Sequence, residues 1–234
     1  MTNEEIVNHL KELRNSVLYT VTLLHQMDLI IKWQSEKDPT DEAGIRGQFF
    51  GMVSVCFYRV IVLECYKLIW DTEHQNLYEF LNQLSKFYDQ ASPSDGDGNI
   101  IDRDEYVQLI RDQKKELNQF KGVKNNIQEL RNNLIAHSDS TYYLDKNKVG
   151  KDFPVTWKDL NDLLDVIKNI VRRQYSLISD ADVDMSRIHA GTNARQYLER
   201  LRAMERFWKN DNLNNVRKIA FFSDEYDPKD IFMK

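Results

Sequence analysis

Glycine and proline are scarce in this chain, at 8 and 4 of 234 residues. A fold rich in tight β-turns uses both freely, so their scarcity points to helices. Cysteine is scarcer still. Cys56 and Cys65 fall on one expected helix, about 13 Å apart along its axis, and cannot bridge each other there. Two isolated thiols fit a reducing cytoplasm, as does the acidic start Met1-Thr2-Asn3-Glu4-Glu5 where a secretory leader would be basic. No glycine-rich phosphate loop, internal repeat or low-complexity tract is present. A large net charge is lacking too. At −5 the chain has no global attraction to nucleic acid or membrane, so any RNA contact must come from a local basic patch.

What is there is helical periodicity. Residues 3–35 carry Ile6, Leu10, Leu13, Val17, Val21, Leu24 and Ile31 at helical spacing, with Asn3 as the expected N-cap and Glu4 and Glu5 in the first turn. Asp38-Pro39-Thr40-Asp41 ends that helix. A second helix, about 45–72, is apolar nearly all round. Arg59, Glu64 and Lys67 interrupt it too early for a membrane span of about 20 residues, so it is expected at the centre of a bundle. Further helices are expected at 76–90, from Asp102 onward with a kink at Gly122, at 156–178 behind a capping pair Thr156 and Asp159, and at 193–209. Ser138 to Pro154 reads as a polar linker. The aromatic, acidic end (Phe221, Phe222, Tyr226, Phe232) is expected to dock on the body or on a partner. The fold class is therefore all-α: a bundle of five to seven helices over residues 1–178, with a helical extension, 179–234, packed on the same domain.

Two metal readings fail on spacing. His9, His25, His74, His137 and His189 are scattered, with no ligand spacing among them or with the cysteines. The loop Asp95-Gly96-Asp97-Gly98-Asn99 mimics the middle of an EF-hand. With Gly98 in the sixth position, Pro93 falls first and Asp104 twelfth, where a carboxylate and a glutamate are required. It reads as a solvated acidic turn, and no metal or other cofactor is expected.

The chemistry-bearing stretch is Leu130-Arg131-Asn132-Asn133-Leu134-Ile135-Ala136-His137-Ser138-Asp139. It closes an expected helix whose apolar stripe is Val123, Ile127, Leu130 and Leu134. On an ideal α-helix Arg131 and His137 lie about 9 Å apart along the axis and about 120° apart around it. They form no compact pair unless the arginine reaches, the helix ends near His137, or a second copy completes the site.

Arg131-Asn132 followed by Ala136-His137 resembles the Arg-polar-spacer-His signature of HEPN domains, and its wording is similar to the AbiU-type abortive-infection subgroup. The resemblance covers about residues 3–178. It implies an α-helical bundle, and an activity found in many members: metal-independent endoribonuclease, acting as a toxin or phage-defence effector. RNA brings its own nucleophile. A base that takes the 2′-OH proton lets that oxygen attack the adjacent phosphate, leaving a 2′,3′-cyclic phosphate and a free 5′-OH. His137 supplies the residue type for the acid or base, poised near neutral pKa at a helix end, and Arg131 the cation for the developing phosphate charge. Asn132 and Asn133 are expected as accessory groups, Asn133 bonding His137, and Asp139 as a further polar neighbour. A homodimer apposing two motif helices would supply the second acid or base. The resemblance also implies an antitoxin partner.

From the residues alone the plainer roles stand beside these. His137 can be a helix-end histidine bonded to a carbonyl, and Arg131 can pair with Asp139 or a neighbouring helix. The other function class is a non-catalytic HEPN module binding RNA, a nucleotide or a protein. Between Arg111 and Arg131 six basic residues outnumber three acidic ones. Lys114, Lys115, Lys121 and Lys124 are the candidate RNA-binding patch, or else an ordinary solvated helix face. From Arg195 to Lys218 seven basic residues outnumber three acidic ones.

Overall fold

The computed structural model describes residues 1–35, 48–70, 76–136, 146–179 and 185. Of residues 33–35, 48, 49, 134–136, 146 and 147 it describes the backbone alone. The elements are α1 (Asn3–Ser35), α2 (Gln48–Ile69), α3 (Leu77–Lys86), α4 (Tyr88–Ala91), α5 (Arg103–Asn118), α6 (Lys121–Leu130), a π-helical segment (Arg131–Ala136), α7 (Lys146–Asp152) and α8 (Trp157–Ser179). Among the described residues there is no strand, only an isolated bridge between Ser94 and Ile100. The protein is all-α, consistent with a HEPN-like bundle. Sequence periodicity cannot register the two short helices, α4 and α7, which lie below the length at which a 3.6-residue repeat is visible.

The chain divides into two compact units, Met1–Met27 with Val55–His189, and Asp28–Ser54 with Ala190–Lys234. The candidate site belongs to the first. Its core is built from one face each of α1 (Ile6, Leu10, Leu13, Val17), α3 (Leu77, Phe80, Leu81, Leu84) and α8 (Leu160, Leu163, Leu164, Ile167), with the end of α2 and α6 filling in. Each such aliphatic side chain withdrawn from water contributes about 1.5–3 kcal/mol. Helix α3 packs on α5, α5 on α8, and α7 reaches the π segment. Of the second unit, the structure describes the last turns of α1 and the first turns of α2.

Local capping explains where the helices begin. Thr2, not Asn3, caps α1: its hydroxyl accepts from Glu5 N at 3.2 Å, and Glu5 Oε2 accepts from Thr2 N at 2.7 Å. Asn3 instead donates its amide to the Gln90 carbonyl at 2.8 Å. Asp102 caps α5 by accepting from Asp104 N and Glu105 N. Thr156 and Asp159 form the reciprocal capping pair read from the sequence, with backbone-to-side-chain distances of 2.8 and 3.1 Å.

Several expectations need correction. The buried stripe of α1 ends on Met27 and Ile30, while Ile31 is exposed. Helix α2 is buried only in its second half, at Ile61, Val62, Cys65, Tyr66, Leu68 and Ile69; Met52 and Val55 are exposed. The apolar first half of α2 is thus no bundle centre. The break expected at Gly122 falls earlier, at Gln119 and Phe120, and Gly122 lies inside α6. The supposed linker 138–154 contains α7, held by the buried Val149. The expected helix at 193–209 and the aromatic end lie outside the described residues, where past Ser179 only Met185 is described.

A buried polar chain ties α5 to α8. Tyr106 donates its hydroxyl to Gln174 Oε1 at 2.6 Å, and Gln174 Nε2 donates to Gln113 Oε1 at 2.7 Å. Burial raises the Tyr106 phenol well above its usual range, so it stays a donor. Cys65 is a buried free thiol pushed up to about 12, mainly by burial, and Cys56 is an exposed one.

Candidate active site around Arg131

The motif begins where α6 stops being an α-helix. Ile127 and Leu130 are fully buried, so the stripe read from the sequence does anchor α6, with Val123 packed at its edge. From Arg131 to Ala136 the backbone is π-helical. Asn133 gives a local reason. Its Nδ2 donates to the Glu129 carbonyl at 2.9 Å and to Glu129 Oε2 at 3.1 Å. The Glu129 carbonyl is the acceptor that the backbone N–H of Asn133 would use in an α-helix. A side chain competing for that acceptor favours the wider i→i+5 turn. Segments of this kind recur at functional sites. From Arg131 to Ala136 the backbone therefore departs from ideal α-helical spacing.

Arg131 is half-buried, and its surroundings are specific. The guanidinium carbon stands 5.0 Å from the centre of the Tyr66 ring on α2. Its Nη1 donates to Asn132 Oδ1 at 3.0 Å. Among the described residues no carboxylate forms an ion pair with it. The nearest acidic residue in sequence, Glu129, takes the Asn133 amide instead. Among the described residues the guanidinium is thus held by an aromatic face and an amide, not by an anion.

Tyr66 is itself half of a pair. Its ring and that of Trp70 lie 5.6 Å apart with 14° between their planes. Trp70 N donates to the Tyr66 carbonyl at 2.9 Å, so the two residues stand one helical turn apart. Neither aromatic residue was singled out from the sequence. Their i,i+4 separation was the available signal, but nothing local to α2 reveals that Arg131 arrives on Tyr66.

The other candidates are placed as follows. Asn132 lies beside Arg131 and Asn133 beside Glu129; His137 and Asp139 lie outside the described residues. Of the four lysines, two point at α3. Lys114 Nζ donates to Asn82 Oδ1 at 2.6 Å, and partial burial lowers its pKa. Lys124 Nζ stands 3.9 Å from the centre of the Tyr78 ring, whose hydroxyl donates to Asn118 Oδ1 at 2.9 Å. Lys115 and Lys121 are exposed. In the acidic loop, Asp95 accepts from the backbone N–H of Asp97 at 3.0 Å and of Asn99 at 2.9 Å. The Asn99 bonds, first among the causes, hold its carboxyl below the usual carboxylate range. Its oxygens thus serve the turn. Among the described residues, no group of three or more His, Cys, Asp and Glu side chains could hold a metal ion.

The AbiU2 family model of HEPN domains matches residues 3–201. The chain belongs to the HEPN AbiU2 family. This match runs beyond residue 178, taking in part of the segment the resemblance had left out. As an AbiU2-type HEPN domain the chain is an abortive-infection-related module, with Arg131, Asn132 and Asn133 inside the matched region. No curated protein and no solved structure shows significant similarity to it. No helix among the described residues of this HEPN chain is long and apolar enough to cross a membrane.

Proposed function

We propose that this HEPN module is a metal-independent endoribonuclease acting as a toxin or phage-defence effector. The observation that carries the reading is Arg131. It stands at the first residue of a π-helical segment inside the span the family model matches, and it has no ion-pair partner among the described residues. In the reaction His137 takes the proton from a ribose 2′-OH. That oxygen bonds to the adjacent phosphorus, the P–O5′ bond breaks, and the 5′ oxygen leaves with a proton. The products are a 2′,3′-cyclic phosphate and a 5′-OH. Arg131 stabilises the negative charge growing on the non-bridging oxygens. A second protein chain in a homodimer supplies the group that protonates the leaving oxygen. The exposed Lys115 and Lys121 add sequence-independent attraction for the phosphate backbone. An antitoxin that covers the motif would restrain the activity.

The test is cleavage of single-stranded RNA by purified protein in excess EDTA. Arg131→Ala and His137→Ala should each reduce the rate by about 10²–10⁴-fold. Wild-type protein that cleaves no RNA, and whose expression leaves cells unharmed, would overturn the reading. One observation favours the alternative, a non-catalytic module that binds RNA, nucleotide or a protein. Arg131 already rests on Tyr66 and Asn132, as a structural arginine would. Persistent binding of RNA without cleavage, weakened by Arg131→Ala, would select that alternative.

A further inference from the structure

The contact between Arg131 and Tyr66 is one end of a longer arrangement. Guanidinium, phenol and indole follow one another, at 5.0 Å from Arg131 to the Tyr66 ring and 5.6 Å from Tyr66 to the Trp70 ring. The middle member is buried, with 6 % of its surface exposed. The far member, Trp70, is only half-buried. The near-parallel 14° angle means that the two rings stack rather than meet edge to face. Trp70 N donates to the Tyr66 carbonyl, and part of the indole packs on the core.

We infer that Trp70 is a nucleobase-stacking platform, placing one base of a single-stranded RNA beside the phosphate that Arg131 binds. This rests on the nucleic-acid reading of the Arg131 site. The physical case has three parts. A partly exposed indole already stacked on Tyr66 offers a π-face to any base, because every base has one, and a side chain with two χ angles loses little conformational entropy when it does so. Both contacts share the Tyr66 ring, so phosphate and base are engaged by one connected set of side chains instead of two independent ones. Single strands are the nucleic acids whose bases are free to stack on a protein ring; a duplex presents its bases already stacked. The arrangement therefore selects single-stranded over double-stranded RNA and is tolerant of base identity.

The probe is a short 2′-O-methyl oligoribonucleotide, which has no free 2′-OH and cannot be cleaved by 2′-oxygen attack, compared with an abasic oligomer of the same length. Wild-type protein should bind the base-bearing strand tighter, by roughly five- to a hundredfold. Trp70→Ala should erase most of that preference, and Trp70→Phe, which keeps an aromatic face, should restore part of it. A second measurement needs no variant at Trp70. With Trp33, Trp157 and Trp208 each changed to Phe, Trp70 is the sole indole. Its fluorescence should be quenched by the base-bearing strand and not by the abasic one. Equal binding of both strands by wild-type protein, an undiminished preference in Trp70→Ala, or no base-dependent quenching would overturn the platform while leaving the role of Arg131 standing. Wild-type protein that binds neither strand would overturn the platform and the nucleic-acid reading together.

Discussion

Arg131 places its guanidinium 5.0 Å from the ring centre of Tyr66, joining the start of the π-helical segment to the end of α2. The two residues are 65 positions apart in sequence, and the contact sets the motif arginine against a second helix. Tyr66→Leu removes the π-face but retains bulk. It should lower stability by about 0.5–2 kcal/mol, the range for a partly desolvated cation–π contact, and weaken RNA cleavage by loosening Arg131. Tyr66→Phe should lose little of either. Denaturant unfolding and initial cleavage rates check both outcomes, and a Phe variant as impaired as the Leu variant would assign the effect to the hydroxyl.

Asn133 is expected to matter through backbone shape. Asn133→Leu removes the donor that competes for the Glu129 carbonyl, favouring an ordinary α-turn through the motif. Overall helicity by circular dichroism should hold or rise slightly, while cleavage falls at least tenfold because the turn that begins at Arg131 changes shape. Undiminished cleavage would show that the π turn has no part in the chemistry.

The buried chain Tyr106–Gln174–Gln113 gives a stability prediction independent of function. Gln174→Leu strands a buried hydroxyl and a buried amide at once. Each unsatisfied group costs about 1–3 kcal/mol, so the midpoint of urea unfolding should fall clearly. Adding Tyr106→Phe to Gln174→Leu should recover part of the loss, since one stranded group is then gone.

The start of α8 should be acid-sensitive. The Thr156 hydroxyl, followed by the Thr156 backbone N–H, holds the Asp159 carboxyl below its usual value. A depressed carboxyl stabilises the folded state fully above its unfolded pKa, and that contribution is lost as pH falls through the folded value. Wild type should therefore exceed Asp159→Ala in unfolding midpoint at neutral pH, with the gap narrowing below about pH 4. Because Asp159 is largely solvent-facing, salt should shrink the gap as well.

A mixed assembly tests whether the site is shared. Chains carrying Arg131→Ala and chains carrying His137→Ala should each be inactive. Mixing them should restore part of the cleavage if one Arg131 and one His137 from different subunits suffice. No recovery in a mixture that light scattering shows to be dimeric would place a complete site within each chain.

The all-α class, the extent of α1, the buried face of α6, the Thr156–Asp159 cap and the family motif were all legible in the chain itself. Each depends on neighbours within a few positions: apolar residues three and four apart, a cap three residues from its partner, an arginine followed by two amides. Where the local signal misled, tertiary packing had overruled it. Apolar residues run through α2 from end to end, yet its fully buried residues lie in its second half, and Met52 and Val55 are exposed. The same dependence hid Tyr66 and Trp70. An aromatic pair at i,i+4 on a core helix reads as packing. It is a contact across 65 residues, Arg131 over the Tyr66 ring, that brings a guanidinium to this pair. Sequence alone determined which groups could do chemistry. Their company was decided by the tertiary structure, because a helix specifies its own faces but not what will be packed against them.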